Sequence, residues 1–201
     1  MEWDVPNETQ EDRTMKSTDL LLDDHRHLML ASGILDEIAD SVERGHTVSE
    51  ADLADLFGFF AGFGDRHHHG LEECVLFPAL LKDSEQKNYH SLCGLVFEHE
   101  RQRSLIVGLF DSLLTKSTKD FIYCARQFSN VLRRHIKEEE DTFFPLVEST
   151  LSTEDDDRIE REMKTYDAAW QESELRSHLQ RLSALEMKYL AASNAKAMRS
   201  G

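Results

Sequence analysis

The sequence predicts an all-α protein: an antiparallel up-and-down four-helix bundle with an additional C-terminal helical segment. The chain has only 3 prolines and 9 glycines in 201 residues, which disfavours a turn-rich β fold. Four long stretches repeat apolar residues at helical spacing, and the connections between them are short. One short motif occurs twice, in the second stretch and again in the fourth.

The first two predicted helices form a hairpin. The first spans about residues 17–44, and Gly45 is expected to end it. Ser49 and Asp52 form an N-cap pair at the start of the second, which runs to about Asp83. The inward positions of the first helix are Leu21, Leu22, His25, Leu28, Ser32, Leu35 and Ala39.

The third and fourth predicted helices form a second hairpin, over about residues 84–116 and 118–150. Pro78 and Pro145 lie late in the second and fourth helices and are expected to kink or end them locally. The inward positions of the third helix are Leu92, Leu95, Val96, His99, Ile106 and Phe110. Those of the fourth are Cys124, Phe128, Val131, Leu132, His135 and Glu139.

The two ends of the chain differ from the predicted bundle. Residues 1–16 are polar and are expected to be disordered or frayed, whereas residues 17–150 form the bundle. Residues 151–201 are predicted to be a C-terminal helical extension. Its apolar stripe consists of Leu175, Leu179, Leu182 and Tyr189. The stripe either covers the bundle or contacts a partner. In the second case residues 152–192 would form the interface of a dimer or of a complex with another protein.

Charge and composition disfavour several classes of protein. A net charge of −16 opposes binding to nucleic acid or to an anionic membrane surface, because both need clustered Lys and Arg. No run approaches 18 apolar residues, so no membrane span is expected. The N-terminus lacks a signal segment, and the 3 cysteines form no C-x-x-C pair. These features predict a cytoplasmic protein with reduced thiols.

The repeated motif reads HHGLEECVLFP at residues 68–78 and HIKEEEDTFFP at residues 135–145. Each copy places a glutamate four residues after a histidine, so both side chains lie on one helix face. The helix before each copy carries an acidic residue followed by histidine, in Asp24-His25 and in Glu98-His99. The chain is therefore predicted to be two helical hairpins of one pattern.

Packed about a pseudo-twofold axis, the two hairpins bring six side chains to one level of the core. These are His25, His68, Glu72, His99, His135 and Glu139. A buried carboxylate destabilises a fold by on the order of several kcal/mol unless it is paired or bound to a cation. Imidazole and carboxylate suit iron, manganese or zinc, and two metals bridged by the two glutamates would use all six groups. The alternative is surface charge, or a hydrogen-bonded polar layer without metal.

Two alternatives remain open beside the candidate ligands. His67 and His69 flank His68 at about 100° on a helix, so at most one of the three is expected to point at the centre. His69 with Glu73 is an alternative register, but only the register of His68 matches the second copy of the motif. Glu73 and Glu140 are either outer acceptors that orient the imidazoles or solvated side chains.

These residues resemble the hemerythrin family, specifically its bacterial and eukaryotic hemerythrin-like (HHE cation-binding) branch. The resemblance covers about residues 19–150 and rests on the paired H-x3-E-E-x3-F-P motif with two lone upstream histidines. It implies a left-handed up-down bundle around a non-haem di-iron centre, bridged by an oxo or hydroxo group, that reacts with oxygen, peroxide or nitric oxide. By motif position it implies the metal ligands His25, His68, Glu72, His99, His135 and Glu139.

The third helix departs from the oxygen-carrying hemerythrins, which have a second histidine four residues after the first. That position is Arg103 here and matches Met29 in the other hairpin, and neither residue is expected to be a ligand. The remaining set resembles hemerythrin-like proteins associated with iron sensing or peroxide chemistry and disfavours simple oxygen carriage. Arg103 is predicted to pair with Glu or to stabilise a bound anion or peroxide, a catalytic role. The alternative is a guanidinium at the rim of the bundle.

The expected function is that of a hemerythrin-like di-iron protein that binds or reacts with oxygen or peroxide, for sensing, scavenging or oxygen binding. Whether it is an enzyme is left open; an enzyme of this kind would decompose peroxide as a catalase-like or peroxidase-like oxidoreductase. One alternative is iron storage, sensing or donation, including iron–sulfur repair. The other is a structural adaptor whose metal, for example zinc, only stabilises the helices.

Overall fold

The structure, a computed structural model, describes residues 16–83, 89–170 and 172–197, and every regular element in these ranges is helical. The α-helices are α1 (Lys16–Glu43), α2 (Glu50–Phe59), α3 (Phe77–Asp83), α4 (Tyr89–Thr115), α5 (Thr118–Glu138), α6 (Phe144–Thr150), α7 (Thr153–Ala169) and α8 (Glu172–Ala197). Three π-helical segments are π1 (Phe60–His69), π2 (Glu72–Leu76) and π3 (Glu139–Phe143). The prediction of an all-α protein is confirmed.

Two of the four predicted helices are composite. The second runs without a break from α2 through π1 and π2 to α3, and the fourth runs from α5 through π3 to α6. The predicted bounds at Asp83 and at residues 118–150 are confirmed. The predicted start of the third helix lies outside the described residues. So does the N-terminus that was expected to be frayed, except for Lys16, which begins α1.

The π turns lie directly before the two prolines. In a π turn an N–H donates to the carbonyl five residues earlier rather than four. Phe77 donates in this way to Glu72, and Phe144 donates to Glu139. The proline that follows each phenylalanine has no N–H to donate and would interrupt a regular α-helix. The π turn thus lies where the α-helical hydrogen-bond pattern would be broken in any case. Neither proline ends its helix, so of the two predicted outcomes, a local kink or a helix end, the helix end does not occur.

The predicted helix ends in the first hairpin are confirmed. Gly45 follows α1 with a φ of 81°, a left-handed conformation that glycine adopts without a steric penalty. Ser49 accepts a hydrogen bond from the backbone N–H of Asp52 at 3.5 Å and caps the N-terminus of α2.

Buried apolar side chains form two clusters with the polar site between them. The larger cluster includes Leu28, Phe60, Phe63, Leu132 and Ile136. The second, here called the Phe-Pro cluster, includes Leu21, Leu76, Phe77, Phe143 and Phe144. On α1, for example, His25 lies between Leu21 of one cluster and Leu28 of the other. Val96 is exposed on α4, so its predicted inward position is wrong.

The C-terminal helices pack against the first hairpin. α8 contacts α1 and α2, whereas α7 contacts α1 and π2. Leu182 is buried in the larger cluster, and Leu175, Leu179 and Tyr189 pack against it. At the other end, the carboxylate of Asp156 accepts hydrogen bonds from the first two backbone N–H groups of α1 at 3.0 and 3.1 Å. The predicted apolar stripe on α8 therefore covers α1 and α2, the helices of the first hairpin.

Two further features were predicted from the sequence: the absence of a membrane-spanning helix and the absence of disulfide bonds. No helix in the described part of the chain is long and apolar enough to cross a membrane. Cys74, Cys93 and Cys124 are all free thiols.

Gly70 allows the close approach of α7, which predicts a measurable cost of adding a methyl group there. A Cβ at position 70 would overlap the Tyr166 hydroxyl, which donates a 2.8 Å hydrogen bond to the carbonyl of Arg66. Gly70→Ala is expected to lower the free energy of unfolding by about 1–3 kcal/mol, measured by urea denaturation, because the ring must move.

Gly94 provides the matched control, since nothing lies within 4 Å of its added Cβ on α4. Gly94→Ala should raise the free energy of unfolding by about 0.5–1 kcal/mol. The cost of Gly70→Ala should shrink in a Tyr166→Phe background, where the overlapping hydroxyl is gone. An equal cost in both backgrounds would contradict the proposed overlap.

Candidate metal centre

The six predicted ligands come together in the core. His25, His68, Glu72 and Glu139 each contribute one nitrogen or oxygen atom to a group in which these atoms all lie within 4.8 Å of one another. A second group of the same size joins Glu72 and Glu139 to His99 and His135, so the two glutamates belong to both groups. The six side chains are the following, and none is more than 1% exposed: His25, His68, Glu72, His99, His135 and Glu139.

A carboxylate binds the outer nitrogen of each of the four histidines. In every case the contact is to Nδ1, and because a carboxylate only accepts, Nδ1 carries a proton, which leaves Nε2 as the nitrogen that can bind a metal at the centre once it carries no proton. The four pairs are Asp24–His68 at 3.3 Å, Glu98–His135 at 3.2 Å, Glu73–His99 at 2.6 Å and Glu140–His25 at 3.0 Å. Glu73 and Glu140 are therefore outer acceptors, which decides that alternative.

These pairs follow the predicted twofold pattern of the chain. Within each hairpin, the acidic residue of the first helix binds the motif histidine of the second, as Asp24 binds His68. Between hairpins, the second glutamate of each motif binds the lone histidine of the other hairpin, as Glu73 binds His99. Neither hairpin alone can orient all of its own imidazoles.

The phenylalanine of each motif packs on the same histidine that its glutamate binds. The ring of Phe144 stacks on His25 with centroids 5.4 Å apart, and Phe77 stacks on His99 at 6.0 Å. Each ring restrains an imidazole on its apolar face while a carboxylate restrains its Nδ1. All of the repeated positions of the motif except the proline thus contact the cluster directly.

Several polar atoms at the centre lack a hydrogen bond. Nε2 of His25 and of His68 and both carboxylate oxygens of Glu72 and Glu139 are buried without a properly oriented partner among the described residues. Nε2 of His25 lies 3.2 Å from Glu139, but the two groups are not aligned for a hydrogen bond. Unpaired buried carboxylates are costly, whereas divalent cations bind imidazole nitrogen and carboxylate oxygen together. The donor set therefore fits metal ions.

Without a metal, protons compensate part of the negative charge. Burial lowers the pKa of His135, but neighbouring carboxylates, chiefly Glu139 and Glu98, outweigh it and raise the pKa to about 10. Carboxylates likewise outweigh burial at His25 and His99 and raise both pKa values. Burial raises the pKa of Glu139, yet the nearby imidazoles hold that pKa well below its usual range.

Asp24, the outer carboxylate on His68, is also held ionised. Burial raises the pKa of Asp24, but hydrogen bonds from His67 and His68 outweigh it and lower the pKa to about 2. Asp24 thus remains charged at neutral pH and keeps the proton of His68 on Nδ1. The negative charge of Asp24, one imidazole ring away from the centre, also favours a cation there.

All three consecutive histidines of π1 are buried, and two of them reach the cluster. His69 forms a group with His99 and His135 whose ligand atoms lie within 4.8 Å, although His68 belongs to the cluster as well. The expectation that at most one of the three points at the centre is therefore wrong. The reason is the π register, in which consecutive side chains are separated by a smaller angle than on an α-helix. His67 instead contacts Asp24 and lies outside these groups.

Arg103 lies at the edge of the cluster, with its side chain 27% exposed. Its three nitrogens contact Asp65 at 2.6 Å, Glu73 at 2.8 Å and Glu100 at 2.8 Å. Burial lowers the pKa of Arg103, but Glu73 and Asp65 outweigh it and raise the pKa. The predicted pairing with Glu is confirmed. A bound anion would compete with these three carboxylates, and the catalytic role stays a prediction.

Three roles were not assigned from the sequence. Asp24 and Glu98 were recognised as part of the repeat but not as acceptors, and Asp65 was not singled out at all. Asp65 accepts from Nδ1 of His69 at 3.3 Å, four residues further along π1. The acidic residue before each lone histidine was the available signal for the first two.

Comparison with known proteins agrees with this geometry. A model of the hemerythrin HHE cation-binding domain family matches residues 16–147. The match runs from the first residue of α1 into α6 and includes all six predicted ligands and His69. The chain matches no curated protein and no solved structure.

The pKa values predict how the stability of the metal-free protein depends on pH. The pKa of His135 rises from 6.5 to about 10 on folding, so its contribution is present below pH 6.5 and is lost as the pH rises toward 10. The pKa of Asp24 falls from 3.8 to about 2, so its contribution is present above pH 3.8 and is lost as the pH falls toward 2. The free energy of unfolding of the metal-free protein, measured by urea denaturation, should therefore be highest between pH 3.8 and pH 6.5.

His135→Gln is the control for the alkaline side of this profile. The variant should lose less stability between pH 6.5 and 10 than the wild-type protein, because the titrating imidazole is absent. Identical alkaline slopes for the two proteins would contradict the raised pKa.

Proposed function

Because the chain belongs to the hemerythrin HHE cation-binding family, we propose that it is a non-haem di-iron protein that binds or reacts with oxygen or peroxide. The observation that carries the proposal is the convergence of unpartnered, fully buried imidazole nitrogens and carboxylate oxygens from two hairpins. The proposed ligands are His25, His68, Glu72, His99, His135 and Glu139.

The proposed architecture is an antiparallel up-and-down bundle of the four long helical stretches at residues 17–150, followed by a helical extension. Its support is the packing of α1 and of α4 on α5 and the short connections at residues 44–49 and 116–117. The family match, which ends at residue 147, agrees with a boundary near residue 150.

Glu72 and Glu139 are the proposed bridges between two metal positions. Each belongs to both four-membered groups, whereas each of the four histidines belongs to only one of them. Both of their oxygens lack hydrogen-bond partners, so each carboxylate can offer one oxygen to either metal. His25 and His68 then serve one position, and His99 and His135 serve the other.

Bound iron would supply the redox chemistry with oxygen or peroxide, and the chain supplies the environment for it. The outer carboxylates hold each Nδ1–H and so keep the Nε2 lone pairs directed at the centre. Phe77 and Phe144 cover the cluster on one side, and Leu28 and Ile136 belong to the apolar cluster on the other. These apolar walls limit the access of water.

Burial favours a resident cofactor over iron that is stored or donated. Every proposed ligand is at most 1% exposed, so release of the metal requires separation of the packed helices. A purely structural metal such as zinc is distinguished by its colourless spectrum, because ferric iron bound by these ligands absorbs in the near-ultraviolet.

The first test measures metal content and reactivity. The protein purified without oxygen should hold two irons per chain and react with oxygen or peroxide in stopped-flow mixing. Glu139→Gln should lose one metal or bind it at least about 100-fold more weakly, since a proposed bridge and ligand is removed. Glu138→Gln, an exposed neighbour, is the control and should retain both irons. A metal-free or zinc-only wild-type protein would refute the proposal.

Arg103 is proposed as a positioning residue that acts through Glu73 and Asp65. Arg103→Leu should weaken iron binding about tenfold, because the acceptor of His99 loses its cation. The rate of the peroxide reaction per loaded centre should stay unchanged. Glu100→Gln, which removes the exposed carboxylate on Arg103, should affect neither quantity.

The opposite result would assign Arg103 the predicted catalytic role. In that case Arg103→Leu would leave the affinity for iron unchanged and would slow the peroxide reaction or weaken azide binding. Both quantities are measured on the same preparation, so the two roles are separated within one experiment.

A further inference from the structure

His69 lies close enough to two of the four histidines already described to share a metal ion with them. It is buried, at 3% exposure, and its ring stacks on His99 with centroids 3.8 Å apart and planes inclined by 11°. Its ring meets His135 edge-on at 5.8 Å. Ligand atoms of the three imidazoles lie within 4.8 Å of one another, so one cation can reach all three.

The outer contact of His69 follows the pattern of the other imidazoles. Its Nδ1 lies 3.3 Å from Asp65, which leaves Nε2 as the nitrogen available to a metal. Nε of Arg103 donates to the same Asp65 oxygen at 2.6 Å and holds that carboxylate in place. Five imidazoles at the cluster therefore each have a carboxylate on Nδ1, and His69 is the only one of them outside the six-residue set predicted from the motif.

His67 shows how a buried histidine without a metal role looks in the same segment. It is equally buried, but its two nitrogens lie 3.5 Å from Asp24 and 3.4 Å from Asp167. It belongs to none of the groups whose ligand atoms converge. Burial and a carboxylate partner alone thus do not place a histidine at the cluster, and His69 meets a condition that His67 does not.

The second hairpin lacks an equivalent of His69. The corresponding residue, which follows His135, is Ile136, and it packs in the larger apolar cluster. His135 and Ile136 lie in α5, where the helix is still α-helical, whereas His68 and His69 lie in π1. The difference in helical register explains why consecutive residues reach the centre in only one hairpin.

We propose that His69 is a seventh protein ligand, so that one metal position is held by the imidazoles of His69, His99 and His135 and the other by those of His25 and His68. This inference rests on the proposed function. The two positions are then chemically unequal although the motif that builds them is duplicated. The position with two imidazoles has one protein donor fewer, and it is the one that exchanges solvent for a small anion such as azide.

X-ray absorption of the iron-loaded full-length protein tests the proposal directly, without relying on activity. The imidazole scattering of the wild-type protein should correspond to five histidines over two irons, and that of His69→Leu to four. The affinity for the iron at the position of His69, His99 and His135 should fall at least about tenfold in His69→Leu. Azide titration followed by absorbance should change from one binding event to two, since a second position becomes open.

His178→Leu is the control, because it removes an imidazole of α8 that packs edge-on against Phe59 and belongs to none of the groups of converging ligand atoms. It should retain the imidazole scattering, the iron affinity and the single azide event of the wild-type protein. Asp65→Asn is a milder variant that keeps the imidazole and removes its charged acceptor. It should lower the affinity for iron in the same direction as His69→Leu.

The outcomes separate this inference from the proposed function. A wild-type protein with two irons and scattering from four imidazoles would overturn the role of His69 and leave the di-iron centre intact. A wild-type protein without iron would overturn both. If His69→Leu does not fold, the scattering of the wild-type protein still decides, because it counts the imidazoles bound to iron without any substitution.

Discussion

The pairing of buried imidazoles with carboxylates from other parts of the chain is the constraint on which the structure depends. Each of the four repeated histidines is held at Nδ1 by an acidic residue of a different helical stretch. The two contacts between hairpins, Glu73 to His99 and Glu140 to His25, make the halves of the protein depend on each other. If they separated, buried charges would lose their partners, which is strongly destabilising.

This polar layer is compatible with a stable core because it is thin and is covered by apolar side chains on both sides. The larger cluster lies on one side, and the Phe-Pro cluster lies on the other. Phe77 and Phe144 belong to the second cluster and also stack on His99 and His25. The same rings therefore bury apolar area and restrain candidate ligands. α8 adds further cover to the larger cluster through Leu182.

Much of the fold followed from local patterns in the sequence. The bounds of the composite helices, the cap at Ser49 and the end at Gly45 depend on residues that lie close together in the chain. Val96 was placed inward but is exposed on the regular α-helix α4. His69 was assigned wrongly because the assignment assumed a regular α-helix with one fixed inward face. A π turn shifts that face, and hydrogen bonds to the fifth residue are selected by packing rather than by residue propensity.

The helical class, the duplication and the six side chains that converge at the centre could all be predicted from the order of the residues alone. This is possible because a histidine and a glutamate four residues apart share a helix face whatever surrounds them. Only the tertiary structure decided which carboxylate holds which imidazole, that Arg103 contacts three carboxylates, and that His69 joins the cluster. These contacts join residues brought together by packing or by the π register, and an α-helical repeat encodes the face of a side chain but not its partner.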